Sequence, residues 1–294
     1  MSMMTFMMRR GCKKSDAKRD AGLVYPQNVL RVEDIFYGPH KMNVLDIYRP
    51  QDVKEKLPVI VSVHGGGWVY GDKKLYSHYC TRLAERGFVV VNFSYRLSPK
   101  SKFPCHLEDT VKVFDWVGKN AEQFGMDKKY VFAVGDSAGG HILALYCAMC
   151  TNPEFASKFL FKPTENIVPK AIALNCAVLD MDAIKESSGS NTLMLMKDVL
   201  PKKKMEEYLA LANPIAHVTE NFPPCMVMTC NGDFLKEQPK AFVKKLEECG
   251  VSYIYKFYGD ETHELHHVFH LDMRNEIGII CNDEQCIYFK SFLE

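Results

Sequence analysis

The stretch Lys129–Cys150, KYVFAVGDSAGGHILALYCAMC, decides how the rest of the chain is read. It opens with a short apolar run, Tyr130-Val131-Phe132-Ala133-Val134, which reads as a buried strand. It then passes through Gly135-Asp136-Ser137-Ala138-Gly139-Gly140 and continues as Ile142, Leu143, Leu145 and Tyr146, spaced as on a buried helix. Strand, G-x-S-x-G, helix is the setting of a serine held on a sharp, strained reversal. Positions beside such a serine cannot carry bulk, and Gly135, Ala138, Gly139 and Gly140 leave that room. The serine hydroxyl then stands above the sheet at a helix N-terminus, where developing negative charge is favoured.

Outward from this stretch, strand and helix patterns alternate. Ile35–Tyr48 reads as a hairpin, and Val59–Val63 is a buried strand ending in His64-Gly65-Gly66-Gly67-Trp68. A helix over Leu75–Arg86, a strand over Phe88–Phe93 and a helix over His106–Phe124 lead to the serine. Beyond it come strands over Ala171–Leu179, Cys225–Thr229 and Val251–Tyr258, a helix over Pro239–Cys249 and a closing helix near Phe289. The alternation predicts an α/β domain over residues 26–294, its sheet mostly parallel and covered by helices on both faces. Residues 181–218 break the rhythm and read as a small cap insertion, with Ser187-Ser188-Gly189-Ser190 as its hinge. Residues 1–25 read as poorly ordered, or at most as a short lid helix belonging to the cap.

At 294 residues the chain can bury one large core, and its 47% hydrophobic and 25% charged residues are ordinary for a globular protein. With a formal net charge of +1 there is no bulk electrostatic case for nucleic acid. No apolar run reaches the length of a bilayer span, so no membrane partner is expected. The 11 cysteines are odd in number and scattered, and Cys147 and Cys150 have no second pair at zinc-like spacing. A reducing, cytoplasmic setting follows, with no metal site. The N-terminus agrees, since its methionines precede its charges, the reverse of a secretory signal.

A serine hydroxyl at neutral pH is a weak nucleophile and needs a base that an acid orients. In a parallel sheet all three lie beyond the carboxyl ends of strands. Asp233, in TCNGDFL after Cys225–Thr229, is the favoured acid over Asp180 and Asp182, because it ends a clean strand and preserves the order serine, aspartate, histidine. His263, His266, His267 and His270 follow the last strand, and the residues alone leave the base open among them. Acyl transfer also needs N–H donors aimed at an oxyanion, and three glycines after a buried strand let backbone approach substrate. The N–H of Ala138, just past the serine, would join them.

Taken together, HGGGW at His64, YRLSP at Tyr95, FGMD at Phe124, GDSAGG at Gly135, GDFL at Gly232 and HVFH at His267 resemble the hormone-sensitive-lipase-like esterases of the α/β-hydrolase superfamily. The resemblance spans residues 35–290. It implies an α/β-hydrolase fold and a cofactor-independent carboxylic ester hydrolase, with Ser137 as nucleophile and Asp233 as acid. His267 becomes the base through the family's H-x-F pattern, matched by His267-Val268-Phe269. The oxyanion donors map onto Gly66, Gly67 and Ala138, while Arg96 and Asp109 look like the family's structural pair. Many members carry a long helical N-terminal cap. Here only about thirty residues precede the first strand, so the cap is expected mostly from residues 181–218. Trp68, Met194 and Met196 are the expected substrate-binding residues. The implied reaction is hydrolysis of short acyl or small aromatic esters by a monomer or homodimer. Its alternatives are an amidase or formamidase, an acetyl or feruloyl esterase acting on plant-polysaccharide fragments, and a non-catalytic binding protein on the same fold.

Overall fold

The structure, a computed structural model, describes residues 1–186 and 191–294, with side chains omitted at 185, 186 and 191–193. The hinge expected at Ser187–Ser190 lies outside the described residues, as does the side chain of Leu193.

The centre is an eight-stranded sheet in the order β1-β2-β4-β3-β5-β6-β7-β8. Its strands are β1 (Val29–Phe36), β2 (Val44–Pro50), β3 (Leu57–Val63), β4 (Val89–Phe93), β5 (Met126–Asp136), β6 (Ile172–Asn175), β7 (Cys225–Cys230) and β8 (Tyr253–Tyr258). β1 and β2 run antiparallel to their neighbours, and all strands from β4 across to β8 are parallel. The helices are α1 (Met3–Asp20), α2 (Ser77–Glu85), α3 (Cys105–Asn120), α4 (Ala138–Thr151), α5 (Pro153–Ala156), α6 (Met181–Glu186), α7 (Asn191–Val199), α8 (Met205–Leu211), α9 (Gln238–Glu248) and α10 (Glu276–Lys290). This is the α/β-hydrolase architecture anticipated from the motifs.

Alternation along each strand feeds two cores. Val59, Val61 and Val63 of β3 face α3 and α4, where Phe114 stacks on Tyr146 at 3.9 Å. Ile60 faces α2 and α10, where Phe132 stacks on Phe289 at 4.9 Å. Burial on both faces explains why β3, β4 and β5 are near-continuous apolar runs. β6 stops at Asn175, short of the expected Leu179, because Cys176 takes φ 47° and turns the chain out of the sheet. Val178 N–H then donates to Ser137 O, so the end of β6 braces the serine turn.

Residues 3–20 form one regular 18-residue helix, longer than a short lid helix. Its start is fixed by charge and capping. Ser2 Oγ accepts from Thr5 N–H, while Asp198 of α7 accepts from Ser2 N–H and Thr5 Oγ1, each at 2.7 Å. Farther along, Arg9 donates to Val69 O and Ser98 O, and at the last turn Arg274 donates to Arg19 O. No helix among the described residues is long and apolar enough to cross a membrane.

Candidate active site

The carboxyl ends of β3, β5 and β7 and the loop after β8 converge on a cavity of about 270 Å³. Its floor begins with Ser137, the residue between β5 and α4, at φ 49° and ψ −118°. Only an over-determined backbone holds a non-glycine residue there. The constraint is visible around it: a Cβ on Gly139 would overlap Val63 O and His64 O, and one on Gly135 would meet the Gly139 carbonyl at 2.8 Å. Ser137 Oγ has no hydrogen-bond partner among the described residues, and the residue lines the cavity with His267.

His267 Nδ1 donates to Asp233 Oδ1 at 2.7 Å. Asp233 is buried and also accepts from Thr229 Oγ1 at 2.7 Å and from Leu235 N–H at 2.9 Å. Burial opposes its charge, but the bonds from His267, Leu235 and Thr229 prevail and hold the carboxyl below its ordinary range. With Nδ1 committed to the carboxylate, Nε2 is the nitrogen left for the cavity. The other histidines are placed differently. His263 is exposed and tied to Asp260 and Thr262, His266 is exposed, and His270 packs edge-on against Tyr79, where burial lowers its pKa to about 3. Asp180 accepts from Asp182 N–H and Ala183 N–H at the start of α6, and Asp182 accepts from Asn213 Nδ2. Asp180 therefore caps α6, and Asp182 ties α6 to the loop after α8.

The loop after β3 forms the second half of the floor. Gly66 and Gly67 adopt φ 106° and 57°. Neither their N–H groups nor that of Ala138 donates to a carbonyl among the described residues. The loop is held from below. His64 stacks on Tyr95 at 3.9 Å, and Tyr95 Oη donates to His64 O at 2.9 Å. Gly65 N–H donates to Tyr76 Oη, which in turn donates to Asp136 Oδ2, each at 2.7 Å. Burial lifts the Asp136 carboxyl to about 6, although the Tyr76 hydroxyl stabilises its charge. Behind the loop, Arg96 forks onto Asp109 through Nε and Nη2, and Arg96 N–H adds a bond of 2.9 Å.

Trp68 lines the cavity but is almost wholly buried, and its Nε1 donates to His141 Nδ1 at 3.1 Å. The opposite ring nitrogen, Nε2, lies 2.6 Å from Ala212 O, so the indole ties the loop to α4 and to the cap. The two cap methionines expected to bind substrate are displaced from it. Met194 is 45% exposed and Met196 is packed in the core at 2%, while Leu195 between them faces the cavity. On a helix, one residue turns the side chain through about 100°, and an apolar run does not reveal which member faces inward.

The roof also corrects the expectation that the cap comes mostly from residues 181–218. Five lining residues, Met8, Cys12, Ser15, Asp16 and Arg19, belong to α1. Asp16 accepts from Tyr70 Oη at 2.9 Å and pairs with Arg19 at 3.2 Å. The signal was present in the sequence as Thr5, Met8, Cys12, Asp16 and Arg19 at helical spacing, but its mixed polarity hid it. Phe234, beside the aspartate, is a further lining residue, its ring 4.4 Å from that of His267.

Cys176, Asp233 and His267 present possible metal-ligand atoms within 4.8 Å of one another. The Nδ1–Oδ1 bond already engages two of those atoms, and the hydrogen bond with Cys230, together with burial, drives the Cys176 thiol toward its protonated form. The donor set is thus arranged for a histidine–carboxylate pair.

Residues 45–246 match the BD-FAE family. The chain is 27% identical to the esterase LipC of Mycobacterium tuberculosis over 72% of this chain and 54% of that protein. It is 29% identical to the probable carboxylic ester hydrolase LipM of the same organism, over 73% and 51%. The chain thus spans about half the length of these curated relatives. Esterase B from Lactobacillus rhamnosis, in a crystal structure with an inhibitor, has a TM-score of 0.90 at 24% identity, covering 99% of this chain and 96% of that one. That likeness extends the shared fold through α1 and the cap. The family match covers more than half of the chain, and the hydrolase motifs lie where that fold requires them: this chain belongs to the BD-FAE family and has the α/β-hydrolase fold.

Proposed function

We propose that the protein is a serine carboxylesterase acting on short acyl or small aromatic esters through an acyl-enzyme. The observation that carries this reading is the convergence on one cavity of a strained serine, an Asp233–His267 bond of 2.7 Å and three N–H groups without backbone acceptors. Ser137 Oγ attacks the ester carbonyl while His267 Nε2 takes its proton, and Asp233 stabilises the imidazolium. The carbonyl oxygen becomes an oxyanion held by the N–H groups of Gly66, Gly67 and Ala138. Collapse expels the alcohol, which leaves with the proton from His267. Water then repeats the sequence on the acyl-serine, releasing the acid and restoring the hydroxyl. The His267 Nε2–Ser137 Oγ hydrogen bond forms when substrate binds, since catalytic hydrogen bonds often become well aligned only in the substrate complex.

No step draws on a metal or cofactor. A cavity of about 270 Å³, at the lower end for small-molecule sites, suits small esters, and Met8, Val178, Leu195 and Leu235 offer the acyl chain an apolar lining. Described residues of one chain line the cavity, so the reading holds for a monomer and asks nothing of a homodimer. The 11 free cysteines support a reducing, cytoplasmic setting. The test is a panel of p-nitrophenyl esters from acetate upward, with formyl-kynurenine and methyl ferulate alongside, run on wild type and Ser137→Ala. The expected result is turnover of the short esters that disappears in the variant while circular dichroism is unchanged. Ester turnover in Ser137→Ala within tenfold of wild type would overturn the assignment.

A further inference from the structure

Positive charge is concentrated on one element. α1 carries six basic residues against two acidic ones, whereas the whole chain has 37 against 36. The inward face of α1 is taken up by Asp198 and by the ester cavity. Met3, Met7, Arg10 and Lys14 form a stripe on the opposite face at i, i+4, i+7 and i+11, with Phe6 and Lys13 beside it. Met3, Phe6 and Met7 are 79%, 54% and 61% exposed. Arg10, Lys13, Lys14 and Lys18 are exposed as well and form no ion pair among the described residues.

A second cavity, of about 590 Å³, runs along the flank of the same helix. Arg9 and Lys13 open onto it, facing His40, Lys41 and Lys100, with Asp72 as its single acidic residue. Lys41 and Lys100, like Lys13, have no acidic partner among the described residues. The groove is therefore built for anionic groups and lies next to an apolar trio left in water. A nucleic acid or an acidic protein segment would answer the charge and leave Met3, Phe6 and Met7 hydrated. An anionic lipid surface answers both, with phosphates for the ammonium groups and an acyl boundary for the apolar side chains.

We propose that α1 docks the protein on an anionic phospholipid surface, Met3, Phe6 and Met7 entering the acyl boundary while the groove of Lys13, Lys41 and Lys100 takes lipid phosphates. The helix lies along the surface, being neither long nor apolar enough to cross it. This departs from the sequence-based expectation of no membrane partner, which rested on span length and net charge and could not register one helix face. It stands on the α1 surface and does not need the esterase reading. Its consequence for that reading is that the roof of the cavity sits where lipophilic esters dissolve.

The test is co-sedimentation of the full chain with vesicles of pure phosphatidylcholine and with vesicles rich in phosphatidylglycerol. Binding to the anionic vesicles, release by salt and little binding to the neutral ones are expected. Each Lys or Arg near such a surface is worth about 1 kcal/mol, roughly fivefold in partitioning, so Arg10→Glu/Lys13→Glu/Lys14→Glu should weaken binding by at least about a hundredfold. Met3→Ser/Phe6→Ser/Met7→Ser should weaken it in a salt-independent way. Circular dichroism checks that both variants fold, and the salt response of the wild type supplies a reading that no variant can compromise. Equal binding to both vesicle types, or to neither, would overturn the proposal. So would retention on duplex DNA without vesicle binding, or a dimer in sedimentation velocity that the charge reversals dissolve.

Discussion

The floor and the roof of the cavity around Ser137 meet at Gly67, where an added Cβ would come within 2.7 Å of Met8 Cε and 3.2 Å of Leu195 Cδ1. One residue earlier, a Cβ on Gly66 would overlap the backbone carbonyl of Tyr70. The floor is set by backbone against backbone, where nothing gives. The roof is set by the far ends of flexible side chains, which do. A molecule arranged this way can retune what it admits by exchanging roof side chains, leaving the chemistry of the floor alone.

The largest effect expected of this division is at Asp233, the proposed acid. Asp233→Asn should keep the geometry but admit the wrong histidine tautomer, lowering kcat by about 10⁴-fold as in comparable triads. Asp180→Asn removes only a helix cap, and should leave kcat within a few-fold and stability within about 1 kcal/mol. Equal losses in steady-state assays would erase the distinction between the two carboxylates.

Gly66→Ala should displace one proposed oxyanion donor and lower kcat by about 10²–10³-fold. Gly67→Ala pushes on side-chain ends and bears mainly the strain of a left-handed alanine, roughly 1 kcal/mol, with kcat kept within about tenfold. If the second glycine proves the more sensitive, backbone contact is not what sets the floor.

Asp136 gives a prediction in stability. Its folded pKa is raised to about 6, so the proton it holds contributes stability that is fully present below about pH 4 and is lost as pH rises through about 6. Asp136→Asn has no such proton and should flatten this part of the curve, removing up to roughly 3 kcal/mol of pH dependence. Urea midpoints for the two proteins across this range are the measurement. Parallel curves would show that the carboxyl is not held protonated under the loop.

The smallest effects belong to the roof. Leu195→Ala and Met8→Ala should shift the ratio of butyrate to acetate turnover in a graded way, about 1–3 kcal/mol at most, while Met194→Ala leaves it unchanged. A response from Met194 equal to that of Leu195 would mean that the roof rearranges around substrate.

The same division explains what was legible in the sequence. Gly66, Gly139 and Ser137 stand in positions that few residue types can occupy, so their motif reports their geometry directly. The strands are legible for a similar reason: burial on both faces of β3 to β5 demands unbroken apolar runs. Asp233, the proposed acid, is marked by falling just past β7, whereas the residues alone leave the proposed base open among four histidines beyond β8. The roof has no such signature. Cys12, Ser15 and Asp16 suit many places, and their spacing acquires meaning only once Asp198 and Arg274 fix the ends of α1. Leu195 was missed by a single residue, because amphipathic spacing in a short cap helix leaves its rotation undetermined.

Ser137 itself sets a limit on heat resistance. A serine at φ 49° and ψ −118° stores about 1–3 kcal/mol of backbone strain that glycine would not incur. Ser137→Gly should therefore give a hardier protein that, on the proposed function, turns over no ester, a form suited to trapping bound substrate for identification. Selection for thermal survival alone would drift toward this residue, and durable catalysts must be sought by strengthening α1 and the cap instead.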